Sequence, residues 1–158
     1  MACPRVYVET SVVSYLASRP SRDVVVAGHQ QTTHEWWRTR REGFELVASQ
    51  LVVQEAAAGD EAAAKARLAV LEQIDLLEVS EVALGLAKGL VEAGAIPREA
   101  AADALHIAIA VTNGVDYLLT WNYRHLANAR MRTAIERVCR RHGYEPAVIC
   151  SPEELLEV

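Results

Sequence analysis

The chain has 158 residues, of which 51% are apolar and 6% aromatic, and its net charge is −5 at pH 7. This length suits one domain with one core, and no apolar run approaches the ~20 residues that a membrane-spanning helix needs. The negative charge weighs against a protein that simply coats nucleic acid, because such proteins usually carry a large positive excess.

The cysteines and the amino-terminal segment indicate where the protein works. Cys3, Cys139 and Cys150 form no CxxC motif and no zinc-ligand spacing, which indicates reduced, structural thiols. The amino-terminal segment leads straight into a strand-like stretch and lacks the basic, apolar and small-residue succession of a signal peptide. We therefore expect a cytoplasmic protein with a single domain over residues 1–158.

Strands and helices are predicted to alternate from the first residues onward. RVYVE at 5–9 alternates and is rich in β-branched and aromatic residues, which predicts a strand with Glu9 at its carboxyl end. We expect Thr10 and Ser11 to cap a short helix that ends at Leu16. The next elements expected are a helix at 21–43, a strand at 44–48, a Ser49-capped helix to Gly59, a helix at 60–74, a strand at 75–79 and a Ser80-capped helix to Ala93.

The run AAADALHIAIAV at 100–111 is apolar on nearly every face, which predicts a buried helix opened by Pro97. Asp103 lies inside this run. A lone buried carboxylate is costly and demands a cation or several hydrogen-bond donors nearby. The remaining elements expected are a strand at 116–120, a broken pair of helices at 123–142, a strand at 147–150 and a last helical turn after Ser151, where SPEE has capping-box spacing.

This alternation predicts an α/β fold, in which ligands gather at the carboxyl ends of parallel strands. Three acids stand out by their positions on the predicted elements. Glu9 ends the first strand, Glu55 lies on a mostly apolar helix, and Asp103 lies on another. Each of them alone is also consistent with an ordinary exposed or hydrogen-bonded acid.

Four segments together carry a resemblance to a known family. They are VYVETSVVSYL at 6–16, LVVQEAAAG at 51–59, AADALHIAIA at 101–110 and DYLLTWNYRHLAN at 116–128. In this order and on these elements they resemble the PIN domain, a metal-dependent nuclease fold. The resemblance implies a three-layer α/β/α sandwich with a mainly parallel central sheet, whose acids converge on Mg²⁺ or Mn²⁺. It also implies a ribonuclease toxin of the VapC type, neutralised by an antitoxin and often a homodimer.

By matching position, the resemblance makes Glu9, Glu55 and Asp103 the catalytic metal ligands and places Asn122 where a fourth acid is common. Glu9 is one methylene longer than the aspartate usual at its place. Asn122 keeps an oxygen but lacks the charge, so the resemblance makes it an auxiliary metal ligand or a residue that positions a water. Carboxylates about 4 Å apart repel by roughly 4 kcal/mol at an effective dielectric near 20, so three converging acids require a cation. Oxygen ligands suit Mg²⁺ or Mn²⁺.

The candidates for substrate binding are Ser11, Trp121, Arg124 and Arg130. Ser11 is able to donate to a carboxylate or a phosphate, although helix capping explains it equally well. Trp121 is the aromatic residue next to the expected site. Residues 123–142 hold six arginines and one acid, which indicates either a solvated helix face or a phosphate-contacting surface. His106 shares a helical face with Asp103, and a hydrogen-bonded core histidine is its favoured interpretation.

The leading hypothesis is a divalent-metal-dependent endoribonuclease acting on RNA. The chain lacks GxGxxG, GxxxxGK[ST] and GxSxG motifs, so dehydrogenase, P-loop and serine-hydrolase interpretations lack their main evidence. Two alternatives remain open. One is a catalytically weak or silent PIN-fold module that binds RNA or protein, and the other is a Mg²⁺-dependent phosphatase on a similar sheet.

Overall fold

Five strands form one sheet in the computed structural model, which describes residues 3–156. They are β1 Arg5–Val8, β2 Glu45–Ser49, β3 Asp75–Leu77, β4 Tyr117–Leu119 and β5 Val148–Cys150. Their order across the sheet is β3-β2-β1-β4-β5, and every neighbouring pair is parallel. The predicted α/β class is confirmed, and each predicted strand lies within two residues of its expected bounds.

Helices cover both faces of this sheet. Those in the described residues are α1 Thr10–Ala17, α2 Val24–Thr39, α3 Gln50–Ala56, α4 Glu61–Leu71, α5 Glu81–Glu92, α6 Ala101–Thr112, α7 Ala129–Arg141 and α8 Pro152–Leu156. α1 packs against α2, α3 and α4, and α8 packs against α2, whereas α5 packs against α6 and α7. Connections run from β1 out to β3 and then back across to β4 and β5. Because parallel crossovers are right-handed, the two groups of helices lie on opposite faces, which confirms the three-layer sandwich.

The core is centred on β1 and α6. Val6, Tyr7 and Val8 are fully buried, as expected for a central parallel strand covered on both faces. Seven of the twelve residues of α6 are buried, which confirms the buried helix predicted from its apolar run. Because helices in such units run antiparallel to the strands, the first turn of α6, with Asp103, lies at the carboxyl edge of the sheet.

The first helix is capped differently from the expectation. Glu9 precedes α1, and no side chain caps that end. Thr10 and Ser11 direct their hydroxyls to the carboxylates of Glu55 and Glu9 instead. The two hydroxyls therefore donate to carboxylates that the fold brings close and do not accept from the N–H groups at the start of the helix. The structure confirms the other predicted caps, which are those of Ser49, Ser80 and the capping box of Ser151 with Glu154.

Two other helices start later than predicted. The helix expected at 21–43 is α2, which begins after Asp23, because the Asp23 side chain accepts from two N–H groups of the first turn. It ends before a short 3-10 turn at Arg41–Gly43. Pro97 opens a 3-10 turn at Arg98–Ala100 rather than α6 itself.

The broken pair of helices predicted at 123–142 is wrong. Turns occupy residues 123–126, a bend follows at 127, and a single helix, α7, then runs to Arg141. The Asn128 side chain accepts from the Arg130 N–H and thereby sets the start of this helix.

Two expectations drawn from composition concern thiols and membrane segments. The three cysteines are unpaired, with Cys3 exposed and the other two buried. Burial raises the pKa of Cys139 to about 11 and that of Cys150 to about 12, so both stay protonated and unreactive at neutral pH. Among residues 3–156, no helix combines the length and the apolarity needed to cross a membrane.

A close approach between α5 and the end of α7 leads to a stability prediction. A Cβ added at Gly89 would lie 2.8 Å from Nε2 of His142, whose Nδ1–H donates to the Val138 carbonyl at 2.9 Å. At Gly85, on the same helix, a Cβ would meet nothing within 4 Å. Gly85→Ala is therefore expected to raise the free energy of unfolding by about 0.5–1 kcal/mol through helix propensity.

Gly89→Ala is expected to gain nothing, because the His142 ring must move and give up a hydrogen bond worth about 0.5–1.5 kcal/mol. Urea unfolding of both variants, and of Gly89→Ala in a His142→Ala background, measures the difference. The His142→Ala background should restore the gain. Equal stabilisation by the two alanines in the wild-type background would contradict this explanation.

Candidate active site

Glu9 leaves β1 at the carboxyl edge of the sheet, beside the end of β4. Its N–H donates to the Leu119 carbonyl at 3.1 Å, and the residue is only 6% exposed. Its Oε1 accepts from the hydroxyls of Ser11 at 2.5 Å and Thr120 at 2.6 Å. The chain reverses its direction across the sheet between β1 and β4, and open parallel sheets bind ligands at such points. Glu9 therefore stands where a ligand-binding carboxylate is expected.

Glu55 extends from the last turn of α3 toward the same edge. Its Oε1 accepts from the Thr10 hydroxyl at 2.5 Å and from Nε2 of His106 at 2.7 Å. Burial raises the pKa of Glu55, but the hydrogen bond and charge of His106 and the hydrogen bond from Thr10 act against it, and the net pKa is lowered. The carboxylate is thus ionised at neutral pH, and His106 is the donor in their contact.

His106 links Glu55 to two further buried side chains. It is 1% exposed, and its Nδ1 lies 2.7 Å from the Tyr7 hydroxyl, which lies 2.7 Å from Ser49 Oγ. Burial raises the pKa of Tyr7 far above its usual value, so the phenol keeps its proton. His106 therefore contacts Glu55 through Nε2 and Tyr7 through Nδ1, and the Tyr7 hydroxyl continues the hydrogen-bonded chain to Ser49. We call this chain, Ser49 to Tyr7 to His106 to Glu55, the buried relay.

Asp103 belongs to a second, adjoining network. Its Oδ1 accepts from the Asn122 side-chain amide at 3.2 Å, and its Oδ2 lies 3.1 Å from Nδ1 of His125. The Asn122 oxygen accepts from the His125 N–H at 3.2 Å, and the Asn122 N–H donates to Thr120 Oγ1 at 2.9 Å. Since Thr120 also donates to Glu9, hydrogen bonds connect Asp103 to Glu9.

These networks place the sequence-predicted site residues at one edge of the sheet. Ligand atoms of Glu9, Glu55 and His106 lie within 4.8 Å of one another. Asp103 is not one of these three residues. It precedes His106 by about one helical turn and is connected to Glu9 through Asn122 and Thr120. The interpretation of His106 as a hydrogen-bonded core histidine is confirmed, and the same residue also contacts the candidate site.

Sequence reasoning missed three polar residues of the site. Thr10 and Thr120 supply the hydroxyls that hold Glu55 and Glu9, and His125 contacts Asp103. The only signal available in the sequence was their position next to predicted site residues. Thr10 directly follows Glu9, Thr120 comes two residues before Asn122, and His125 comes three residues after Asn122.

The donor set fits a divalent cation. Oε1 of Glu9 and of Glu55 is held by two protein donors, whereas no donor of residues 3–156 reaches Oε2 of either. No lysine or arginine in that range pairs with Glu9, Glu55 or Asp103. Glu55 and Asp103 contact the histidines His106 and His125 instead. Carboxylate oxygens that no lysine or arginine neutralises suit Mg²⁺ or Mn²⁺. His106 already uses Nε2 as a donor, so it holds a ligand rather than serving as one in this arrangement.

The candidates for substrate binding differ in accessibility. Ser11 accepts from the Trp121 N–H at 2.9 Å while it donates to Glu9. Trp121 is 6% exposed, and its indole N–H donates to Thr33 Oγ1 at 2.7 Å. Arg124 and Arg130, which follow in the turn and in the first turn of α7, are exposed. The arginines are thus the members of this set that solvent reaches freely.

Comparison with known proteins establishes the fold. No family model and no curated protein matches the sequence. A chain of the VapBC2 complex of Rickettsia felis, solved with a DNA fragment from its promoter, superposes with a TM-score of 0.59 at 11% identity, covering 93% of this chain and 98% of that one. VapC20 of Mycobacterium tuberculosis, described as a toxin that cleaves the sarcin-ricin loop, superposes with a TM-score of 0.53 at 17% identity, covering 82% of this chain and 94% of its own. At these identities the likeness is one of fold.

Proposed function

We propose that this chain, which has the PIN-type fold of the VapC structures, is a divalent-metal-dependent endoribonuclease that hydrolyses phosphodiester bonds of RNA. The observation that carries the proposal is the meeting of Glu9 and Glu55 without a compensating lysine or arginine in the described chain, beside Asp103 at the ligand-binding edge of the sheet. A cation stabilises negative charge of this kind in a partly buried site.

In this proposal Glu9, Glu55 and Asp103 hold Mg²⁺ or Mn²⁺, and Asn122 serves as an auxiliary oxygen ligand or positions a water. A bound ion of this type lowers the pKa of a water and stabilises charge on the phosphate and the departing oxygen. The protein itself fixes each carboxylate through two hydrogen bonds. In Glu9 and Glu55 both bonds go to Oε1, which leaves Oε2 for the ion, whereas Asp103 accepts one bond on each oxygen. The catalytic acids are thus oriented before the substrate arrives.

The substrate contacts are assigned from exposure and position. Arg124 and Arg130 lie exposed on the segment after Asn122, where their guanidinium groups suit the phosphates that flank the bond to be cut. Ser11 bridges Glu9 and the backbone of Trp121, so it couples the metal site to the segment that carries these arginines.

The biological role follows from the fold neighbours as part of the same proposal. We propose that the chain is the toxin of a toxin–antitoxin pair that acts in the cytoplasm on RNA, with a protein antitoxin as partner and a homodimer as its working state. The choice of RNA over DNA rests on the likeness to a toxin described as cleaving the sarcin-ricin loop, and the antitoxin rests on the likeness to a chain of a VapBC2 complex.

The test is cleavage of a set of structured RNAs by the purified protein with Mn²⁺, Mg²⁺ or a chelator, beside Asp103→Asn and Asp116→Asn. Asp116 is the matched control, because it lies at the opposite edge of the sheet, where it accepts from the Arg5 N–H. We expect discrete cuts with wild type and Asp116→Asn that disappear with chelator and in Asp103→Asn. Folded wild-type protein without metal-dependent cuts would overturn the proposal, and tight RNA binding without turnover would favour the binding-module alternative.

A further inference from the structure

Four aromatic rings gather next to the carboxylates, and we call them the aromatic cluster. His29 from α2 stacks on Trp121, with centroids 4.1 Å apart and planes 14° apart. Tyr15 from α1 lies 6.3 Å from His29 and 6.2 Å from Trp121. Tyr123 stands edge-on to both, at 6.1 Å and 72° from His29 and at 6.0 Å and 86° from Trp121. Edge-to-face and stacked contacts of this kind fix ring orientation.

The members of the cluster differ sharply in burial. Trp121 is enclosed, and its indole N–H is satisfied by Thr33, so it acts as the support of the cluster. Tyr123 is 45% exposed and is the only aromatic residue among the large exposed apolar side chains of the described chain. An aromatic ring that two neighbours hold edge-on, and that still shows nearly half of its surface to water, is oriented for stacking at little entropic cost.

The cluster is coupled directly to the proposed active site. The Trp121 N–H donates to Ser11, which donates to Glu9. Tyr123 follows Asn122, whose side chain donates to Asp103. Tyr123 is three positions after Thr120 in the chain, so their Cα atoms are at most about 11 Å apart. A base attached to a nucleotide close to the phosphate at the carboxylates is therefore within reach of the Tyr123 ring.

We propose that the exposed face of Tyr123, supported by the stacked His29 and Trp121 rings, is a stacking platform for a nucleobase of single-stranded RNA, one or two nucleotides from the bond that is cut. The inference rests on the proposed function and names a substrate contact for it. Stacking on an aromatic ring tolerates any base, because each base has a π face. The platform thus selects unpaired over paired nucleotides rather than a particular sequence.

The test measures binding of a fluorescent single-stranded RNA of about eight nucleotides in chelator, so that cleavage plays no part. Tyr123→Ala and Tyr123→Leu are expected to weaken binding between about 5-fold and about 150-fold, the range for one base–aromatic stack. Tyr123→Phe and Tyr123→Trp should restore most of the affinity, because they keep an aromatic face. A series of the same RNA, each member with one abasic nucleotide at a different position, locates the stacked base. We expect wild type to bind one member of the series more weakly than the intact RNA. Tyr123→Ala should bind that member as well as it binds the intact RNA.

The outcomes separate this inference from the function on which it rests. Wild type that neither binds single-stranded RNA in chelator nor cuts any RNA with Mn²⁺ would overturn both. Wild type that cuts RNA with Mn²⁺ but does not bind it in chelator would overturn the platform alone. If wild type binds RNA and cleaves it with metal while Tyr123→Ala binds and cleaves it equally well, the platform is overturned and the nuclease proposal stands. Leucine restoring affinity as well as phenylalanine would also overturn stacking in favour of simple apolar contact. Thermal unfolding of each variant checks that the exposed substitution leaves the fold intact.

Discussion

Glu9→Gln is expected to raise the melting temperature of the metal-free protein while removing both the stabilisation by Mn²⁺ and the cleavage of RNA. Glu9 is 6% exposed, and one of its carboxylate oxygens lies within 4.8 Å of a carboxylate oxygen of Glu55. Two unit charges at that distance repel by about 3 kcal/mol at an effective dielectric near 20. The amide removes this repulsion and keeps a carbonyl oxygen with two lone pairs, so it still accepts from both Ser11 and Thr120.

The gain in the free energy of unfolding should reach about 1–3 kcal/mol, or roughly 2–4 °C in melting temperature for each kcal/mol in a chain of this size. The loss of activity should exceed the about 10–100-fold that follows removal of a hydrogen-bond partner of a metal ligand, because here a proposed ligand is itself neutralised. A substitution that raises stability and lowers activity is typical of a residue selected for function.

Scanning calorimetry with chelator, Mn²⁺ or Mg²⁺, together with cleavage assays, measures both effects. Glu9→Asp is the informative comparison, since it keeps the charge but shortens the side chain that Ser11 and Thr120 hold. We expect it to retain part of the Mn²⁺ stabilisation and to cleave more slowly than wild type. The metal-centre proposal fails if Glu9→Gln responds to Mn²⁺ as strongly as wild type does.

The fold was largely predictable because its signals are local. Apolar runs of strand length, serine caps and glycine stops set five strands and most helices within a few residues. The segment 123–127 was not predictable in this way. Leu126 and Ala127 donate to the Asn122 carbonyl, and Asn122 is itself held by Asp103, 19 residues away. A long-range contact therefore determines where a local helix is broken.

The candidate site was predictable in its acids and not in its hydrogen bonds. Glu9, Glu55 and Asp103 stand at positions that the strand and helix order brings to one edge of the sheet. The packing of α1 against α3 determines which hydroxyl donates to which carboxylate. The spacing of residues in the sequence does not predict this packing. Thr10 therefore looked like a cap, although its hydroxyl reaches Glu55 across 45 residues.

His106→Ala is expected to lower both stability and cleavage, in contrast to Glu9→Gln. The imidazole is 1% exposed and fills the space between Tyr7 and Glu55. Its removal leaves a cavity and takes one partner from each of two polar groups, for which we expect a loss of about 3 kcal/mol in the free energy of unfolding. Cleavage should fall at least about 10-fold, because Glu55 loses a donor that orients it.

The pKa of Glu55 gives this variant a pH signature. The pKa of Glu55 is lowered in the folded state, so ionisation of this carboxyl stabilises the fold. The stabilisation is complete above the unfolded-state pKa, which lies near the model-peptide value of about 4.3. It is lost as the pH falls through the folded-state pKa. Without His106, which contributes to that lowering, the folded-state pKa of Glu55 should rise. Below about pH 4.5, the melting temperature of His106→Ala should therefore fall less steeply from its value at neutral pH than the melting temperature of wild type does.

A double-mutant cycle of Tyr7→Phe and His106→Gln tests whether the buried relay acts as one unit. Glutamine at position 106 keeps an N–H donor for Glu55 but replaces the imidazole nitrogen that contacts the Tyr7 hydroxyl. Phenylalanine at position 7 removes that hydroxyl, and Ser49 still accepts from the Val52 N–H. If the relay holds Glu55, the two substitutions are coupled by about 0.5–3 kcal/mol both in unfolding and in the barrier to cleavage. Additivity within about 0.5 kcal/mol in cleavage, together with coupling in unfolding, would mean that Tyr7 and His106 support the core without orienting the carboxylate.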